Sequence, residues 1–162
     1  MSDQVGMTLD IGSMAGAGEA ATAAAPKIRA NAFHGGYYWG TGRRKRAGAR
    51  VRIRSGEGKI VVNGRDLDVF FKLEKDRSAV MGPLMATDSA RKVDVFVNVN
   101  GGGITGQSGA IVMGLARALE AMDPSFSHAL HVGQFMTRDG RMTERKKYGQ
   151  RGARRRFQFS KH

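Results

Sequence analysis

Alternation of apolar and polar residues predicts two strands in this chain. Residues 50–54 alternate three arginines with Val51 and Ile53. Residues 93–100 alternate four valines with mainly polar residues, among which stands Phe96. Because successive side chains of a strand point to opposite faces, each segment should bury one face and expose the other. The outer face of the first strand is then cationic.

A helical period follows the second strand. Residues 105–122 carry Ile111, Leu115 and Leu119 at intervals of four, which places them on one side of a helix. The Asp-Pro pair after this segment should end the helix and start another over residues 125–131, since proline is favoured in a first turn.

The stretch between the two strands has weaker signals. Residues 59–62 are predicted to be a short strand that forms a hairpin with strand 50–54 across a Ser-Gly-Glu-Gly turn. Residues 65–71 and residues 77–80 are predicted to be short helices. The Gly82-Pro83 pair should end the second of them.

These elements predict an α+β fold, with helices packed on a small mixed or antiparallel sheet. The globular domain is expected over residues 37–136. Residues 1–36 are rich in Gly and Ala without a sustained period and are predicted to be a disordered extension. Residues 137–162 contain no Leu, Ile or Val, so they cannot build a core, and we expect an extended basic tail that orders on a polyanion.

Charge is concentrated in two segments of a chain whose net charge is +13. Residues 41–60 hold eight cations and one anion, a net of +7, and the tail holds ten cations and two anions, a net of +8. We call residues 42–54 the first arm. Such clusters indicate a nucleic acid or an anionic membrane surface, and the pattern favours RNA. Tyr37, Tyr38 and Trp39, which precede the arm, are suited to stacking on bases or to anchoring the arm to the body.

Residues 101–106 match the pattern G-x-G-x-x-G between a strand and a helix. A dinucleotide site would need a second parallel strand ending in an acidic residue, and the pattern after residue 122 predicts further helix instead. Two interpretations remain open: close packing of backbone in a tight turn, and binding of an RNA phosphate by the free N–H groups of Gly102 and Gly103.

No catalytic or metal-binding set is apparent. The chain has no cysteine, its four histidines form no cluster of metal-ligand size, and no carboxylates or nucleophile–base residues are paired. No apolar run approaches a membrane span and no secretory signal begins the chain, so we expect a soluble intracellular protein without a cofactor.

Several motifs together resemble the bacterial form of the small-subunit ribosomal protein nine family. They are GTGRRKRAGARVRI, GEGKIVVNGRDL, the pair FF, GGGITGQSGAIVMGLARAL and TRDGRMTERKKYGQRGARRRFQFSK. The resemblance covers residues 37–162 in uninterrupted order. It implies a structural protein, not an enzyme, in the head of the small subunit, with a fold similar to the second domain of small-subunit protein five and its left-handed βαβ crossover.

The resemblance also implies partners. They are the 3′ major domain of small-subunit ribosomal RNA, neighbouring head proteins and the transfer RNA in the peptidyl site, whose anticodon stem-loop the tail would touch. The implied location is the cytoplasm, with an organellar ribosome as the alternative. With the cationic pattern, the expected ribosomal-RNA contacts are Arg43, Arg44, Lys45, Arg46, Arg50, Arg52, Gly102, Gly103, Arg138, Arg141, Arg145, Lys146, Lys147, Arg151, Arg154, Arg155 and Arg156.

The expected transfer-RNA contacts are Ser160, Lys161 and His162. The family pattern ends in Ser-Lys-Arg, whereas this chain ends in His162. Arginine is always charged and offers a planar fork to phosphate, but histidine has an ordinary pKa of about 6.5 and is mostly neutral at pH 7. The last contact is therefore expected to be weaker or to rest on Lys161.

Overall fold

The computed structural model describes residues 33–160. A mixed sheet of six strands has the order β1-β2-β3-β6-β4-β5. The strands are β1 (Phe33–His34), β2 (Tyr37–Arg44), β3 (Ala47–Ser55), β4 (Ile60–Val62), β5 (Arg65–Asp66) and β6 (Val93–Asn100). The helices are α1 (Leu67–Phe70), α2 (Glu74–Ala86), α3 (Ile104–Met122) and α4 (Ser127–Val132), with a 3-10 turn at Pro124–Phe126. The predicted α+β class is confirmed.

The two clearest predictions from periodicity are also confirmed. Strand β6 has the predicted bounds, and α3 begins one residue before its predicted start. Ile111, Leu115 and Leu119 of α3 are fully buried in the core, as the interval of four requires.

The predicted hairpin between residues 50–54 and 59–62 is wrong. β6 lies between β3 and β4, antiparallel to β3 and parallel to β4. The register lines up Val51, Val97 and Val62 across the three strands, and each is at most 2% exposed. With β6 in the centre, its buried valines are flanked by apolar residues of β3 at one edge and of β4 at the other. A local hairpin of β3 and β4 would leave β6 with a neighbour at one edge only.

Two helix predictions between β4 and β6 also need correction. The Asn63-Gly64 pair, with φ of 50° and 77°, forms a two-residue turn that pairs β4 with β5. This pairing draws Arg65 and Asp66 into the sheet, and only Leu67–Phe70 remains helical. The helix predicted over residues 77–80 instead runs from Glu74 to Ala86, through Gly82 and Pro83.

Burial explains why α2 continues through its proline. An interior proline costs a helix about 3 kcal/mol. Val80, Pro83 and Leu84 are all buried, and burial of each large apolar side chain contributes roughly 1.5–3 kcal/mol. Tertiary packing therefore outweighs the local penalty.

Helix α3 lies directly on β2 because both elements carry small residues at the contact. A Cβ on Gly40 would overlap the carbonyl oxygen of Gly114, and one on Gly42 would overlap the carbonyl oxygen of Ala110. Gly114 in turn lies against the Val51 side chain. The GTG motif thus allows a helix to approach a strand backbone to backbone.

Helices cover one face of the sheet, which we call the covered face. The core joins the valines of β6 and the aliphatic side chains of β3 and β4 to α2, α3 and α4. The opposite face, the open face, carries the polar members of the same strands. The chain between β4 and β6, which contains α2, links two adjacent parallel strands, so a βαβ crossover is present. The left-handedness that the resemblance implies stays a prediction.

Pairing in the sheet begins at Phe33, before the predicted domain start at residue 37. The rest of the extension predicted over residues 1–36 lies outside the described residues, so its disorder stays a prediction. Residues 137–160 form neither helix nor strand. Among the residues that the structure describes, no helix has the length and apolar character of a membrane span.

Candidate nucleic-acid interface

The first arm contains the tip of the β2–β3 hairpin and most of β3. Arg44 and Ala47 form the last pair, so Lys45 and Arg46 make the loop, and Lys45 adopts a left-handed φ of 52°. Arg43, Lys45 and Arg46 are exposed to solvent. Three cations on a tight hairpin repel one another, and a polyanion relieves that repulsion.

Arg44 differs from its neighbours because it contacts the rest of the protein. Its side chain lies across Gly109 of α3, where a Cβ would overlap the arginine Cδ atom. Its guanidinium then reaches Asp139 in the first residues of the tail, with 3.5 Å between Nη2 and Oδ2. The ion pair joins residues 95 positions apart and brings the two cationic segments together.

Asp139 also organises the start of the tail. It accepts hydrogen bonds from the backbone N–H of Arg141 at 3.1 Å and from the Arg141 guanidinium at 3.0 and 2.9 Å. These side-chain and backbone hydrogen bonds from Arg141 hold the pKa of Asp139 well below its usual range, and the positive charge of Arg44 adds to the effect. Phe135 and Met136 pack against the core just before this point. The tail therefore leaves the body at a defined place beside the first arm.

Further along the tail, residues 144–157 fold into an open loop. Glu144 pairs with Arg154 at 2.8 Å and with Lys147 at 3.9 Å. The N–H of Arg151 donates to the carbonyl of Arg155 at 2.9 Å. The Arg151 guanidinium also lies 5.2 Å from the ring centroid of Phe157. The loop turns most of its charge outward, and Tyr148 at its tip is 95% exposed.

Many of the predicted contact residues are available to a partner. Arg141, Lys147 and Arg154 pair with carboxylates of the tail itself. The other tail cations have no carboxylate partner among residues 33–160; they are Arg138, Arg145, Lys146, Arg151, Arg155 and Arg156.

The glycine loop lies against the first arm. Gly101 and Gly102 have φ of 71° and 64°, in the left-handed region. A Cβ on Gly101 would lie 2.6 Å from the carbonyl oxygen of Arg46, and one on Gly102 would lie 3.0 Å from the nitrogen of Ala47. Close packing is therefore confirmed for these two glycines. Gly103 precedes α3 and faces open space, so a phosphate contact there stays a prediction.

The same loop does not belong to a dinucleotide-binding unit. The strand parallel to β6 is β4, which precedes it in the chain. After α3, residues 123–160 add no strand to the sheet. Within residues 33–160, no three acidic or histidine side chains come together as metal ligands.

Comparison with known proteins decides the family. The family model for ribosomal protein S9/S16 matches residues 42–162. Two curated relatives, both named small ribosomal subunit protein uS9, come from two strains of Treponema pallidum, one of them strain Nichols. Each is 57% identical over 122 residues, which cover 75% of this chain and 95% of the relative. The chain belongs to the ribosomal protein S9 family.

The S9 family match contains both cationic segments, the glycine loop and α3. It begins at residue 42, so β1 and most of β2 precede it. As a member of this family the chain is a small-subunit ribosomal protein of the bacterial type. The resemblance inferred from the motifs is thereby confirmed.

The S9 fold also orients the arginines and aromatic residues of β2, β3 and β6. Tyr38 packs against the core, whereas Tyr37 and Trp39 lie on the open face with the three arginines of β3. Phe96 of β6 joins them, and the sequence interpretation did not include it in the site. The sequence signal that could have identified Phe96 is its position: it is an aromatic residue at a place in strand 93–100 where the alternation calls for a polar one.

The predicted transfer-RNA contacts lie at the end of the chain. Ser160 is exposed and is the last described residue. Lys161 and His162 lie outside the described residues, so their roles stay predictions. The S9 family pattern is the support for them.

Proposed function

We propose that this small-subunit ribosomal protein binds ribosomal RNA of the subunit head through its first arm and its tail, and that the end of the tail contacts the anticodon stem-loop of peptidyl-site transfer RNA. Family membership supports a structural role in the small subunit. The RNA would be the 3′ major domain, and neighbouring head proteins would surround the folded body. The site of action would be the cytoplasmic ribosome.

One observation carries the ribosomal-RNA proposal. The ion pair between Arg44 and Asp139 brings two strongly cationic segments together on a body whose residues 61–136 hold seven cations and eight anions. The glycine loop lies against the same hairpin through Arg46 and Ala47. Two cationic segments and a loop of backbone N–H groups that lie together suit a polyanion that crosses all three.

The contacts of each cationic residue indicate the role it would have in binding RNA. The exposed hairpin cations Arg43, Lys45 and Arg46 would contact phosphates, and Arg44 would fix the angle between hairpin and tail. Arg50 and Arg52 of the open face would add contacts on the body. The exposed tail cations would follow the RNA outward, and the N–H groups around Gly102 and Gly103 would donate to a phosphate.

The test of ribosomal-RNA binding is a titration of the full chain against a transcript of the 3′ major domain at several salt concentrations. With about eight cations engaged, the logarithm of affinity should fall against the logarithm of salt with a slope of roughly −6 to −7. Unrelated RNA of equal length is the control. Equal affinity for both RNAs would count against the proposal, as would loss of the protein from small subunits sedimented in high salt.

The test of transfer-RNA contact uses isolated small subunits that carry a chain lacking Ser160, Lys161 and His162. Loss of a charge-assisted contact should lower peptidyl-site transfer-RNA affinity by about tenfold. A second variant, His162→Arg, should bind at least as tightly as the natural chain because its charge does not depend on pH. Unchanged affinity after truncation would reject this part of the proposal and leave the ribosomal-RNA part intact.

A further inference from the structure

The open face of the sheet carries an arginine surrounded by aromatic rings. The register places Trp39, Arg52 and Phe96 side by side on β2, β3 and β6. The Arg52 guanidinium carbon lies 5.9 Å from the Trp39 ring centroid and 5.5 Å from that of Phe96. It also lies 5.2 Å from the ring of Tyr37. We call Tyr37, Trp39, Arg52, Arg54 and Phe96 the aromatic platform.

A second arginine shares the platform. Arg54 lies 5.9 Å from the Tyr37 ring and 5.4 Å from the Phe96 ring. The two rings meet edge to face, with centroids 6.0 Å apart and planes at 89°. Contacts with the rings orient both guanidinium groups. Each lies near aromatic rings, and Arg54 keeps half of its side chain exposed to solvent.

The platform has an unbalanced charge. Among residues 33–160, the ion pair on this face joins Arg54 to Asp94. Neither Arg50 nor Arg52 has a carboxylate partner among these residues. Asp94 is already occupied by the backbone N–H groups of Glu57 and Lys59, at 3.0 and 3.1 Å. Three arginines against one engaged carboxylate favour a negatively charged occupant.

The rings narrow the choice of occupant. Tyr37, Trp39 and Phe96 are each half-buried, so part of each ring reaches solvent in the middle of a sheet whose other face is covered by helices. Unpaired RNA bases stack on aromatic rings and on arginine planes while phosphates approach the charges. A duplex presents phosphates but keeps its bases stacked inside, so it would leave the rings unused.

We propose that the aromatic platform binds an unpaired segment of ribosomal RNA, whose bases stack on Arg52 and the neighbouring rings while Arg50 and Arg54 contact phosphates. This inference rests on the proposed ribosomal-RNA function and adds a base-stacking site to the two cationic segments. It predicts a preference for single-stranded RNA on this face, whereas the hairpin and the tail act through phosphates.

The chain provides its own probe, because Trp39 is its single tryptophan. The transcript of the 3′ major domain is added to the full chain while binding is followed by anisotropy of the labelled RNA. Quenching of Trp39 emission by acrylamide is measured in parallel. A covered platform should lower the quenching constant with the same midpoint as the anisotropy. Among short oligonucleotides, a single strand should protect Trp39 more than a duplex of equal charge.

Three variants separate stacking from charge. Arg52→Gln should weaken transcript binding about tenfold, the scale of losing one stacked base. Arg52→Lys keeps the charge but lacks the planar guanidinium, so it should bind as weakly as Arg52→Gln. Arg91→Gln removes an exposed charge outside the platform and should change affinity by less than about twofold, the scale of one peripheral charge. The thermal melting of each variant reports whether it is folded.

The outcomes distinguish failure of the aromatic platform from failure of the proposed function. Tight transcript binding with unchanged quenching of Trp39, or full rescue by Arg52→Lys, overturns the platform and leaves the proposed function standing. Absence of transcript binding by the natural chain overturns both. Protection of Trp39 in assembled small subunits but not by the transcript would assign the face to a neighbouring protein and reject the RNA assignment.

Discussion

The two faces of the sheet share one backbone but differ in what they tolerate. On the covered face, glycines of β2 touch the backbone of α3 and the valines of β6 are at most 6% exposed. The open face carries arginines and half-buried rings, and a Cβ on Gly48 of this face would meet only one side-chain oxygen, at 3.5 Å. The covered face should therefore determine stability and the open face recognition. Four predictions are ordered by decreasing effect on stability, and those for Gly42 and Arg52 test this division directly.

The largest loss of stability is expected from Gly42→Ala. The added Cβ would overlap the carbonyl oxygen of Ala110 and lie 2.5 Å from the nitrogen of Gly114, so strand and helix must separate. We expect a loss of about 3 kcal/mol or more in the free energy of unfolding, measured by urea denaturation.

The matched control for that substitution is Gly48→Ala in β3. A Cβ there would meet only the Asn100 Oδ1 atom, at 3.5 Å. The free energy of unfolding should change by no more than about 0.5 kcal/mol. If the two glycines proved equally sensitive, the proposed difference between the faces would be wrong.

A smaller loss, dependent on pH, is expected from Asp94→Asn. Hydrogen bonds from the backbone N–H groups of Lys59 and Glu57, together with Arg54, lower the pKa of Asp94 below its ordinary value of 3.8. Because the folded pKa is the lower one, the stabilisation is complete above pH 3.8 and is lost as the pH falls through the folded pKa.

The melting temperature of the natural chain should thus fall in acid more steeply than that of Asp94→Asn, and the two curves should approach each other as the pH falls through the folded pKa of Asp94. Glu57→Gln, which removes an exposed carboxylate of the same turn, serves as the control for the change of charge. Parallel curves for the natural chain and Asp94→Asn would remove the assigned role of this carboxylate.

On the open face, Arg52→Ala should scarcely affect folding. A partly exposed cation–π contact contributes about 0.5–1 kcal/mol, so the free energy of unfolding should fall by less than about 1 kcal/mol. The affinity for the 3′ major-domain transcript should nevertheless fall by about tenfold, because the stacking guanidinium is lost. If Arg52→Ala lowered the free energy of unfolding as much as Gly42→Ala, Arg52 would be a structural residue and not a recognition residue.

The smallest effect on global stability is expected from Asp139→Asn, which weakens the contact with Arg44 outside both faces. The melting temperature should stay near that of the natural chain, while amide exchange in residues 137–141 becomes faster. Asp66→Asn, an exposed carboxylate of β5, is the control. Unaltered exchange in the tail would show that Phe135 and Met136 alone hold its start.

Periodicity within single segments was enough to predict β6, α3 and the α+β class. Each depends on contacts between residues a few positions apart, as with the valines of 93–100. Concentrated charge likewise defined the first arm and the tail as cationic segments, because charge can be counted along the chain without knowledge of the fold. The motifs were sufficient to identify the S9 family, which the comparisons confirm.

Tertiary structure decided the features that depend on distant residues. β6 separates β3 from β4 because in that order apolar residues of both strands flank the valines of β6. Pro83 stays within α2 because burial outweighs its local penalty. Arg44 and Asp139 meet across 95 positions, and Arg52 finds three rings on two neighbouring strands. A linear pattern contains the charges and rings, but strand order and helix packing determine which of them meet.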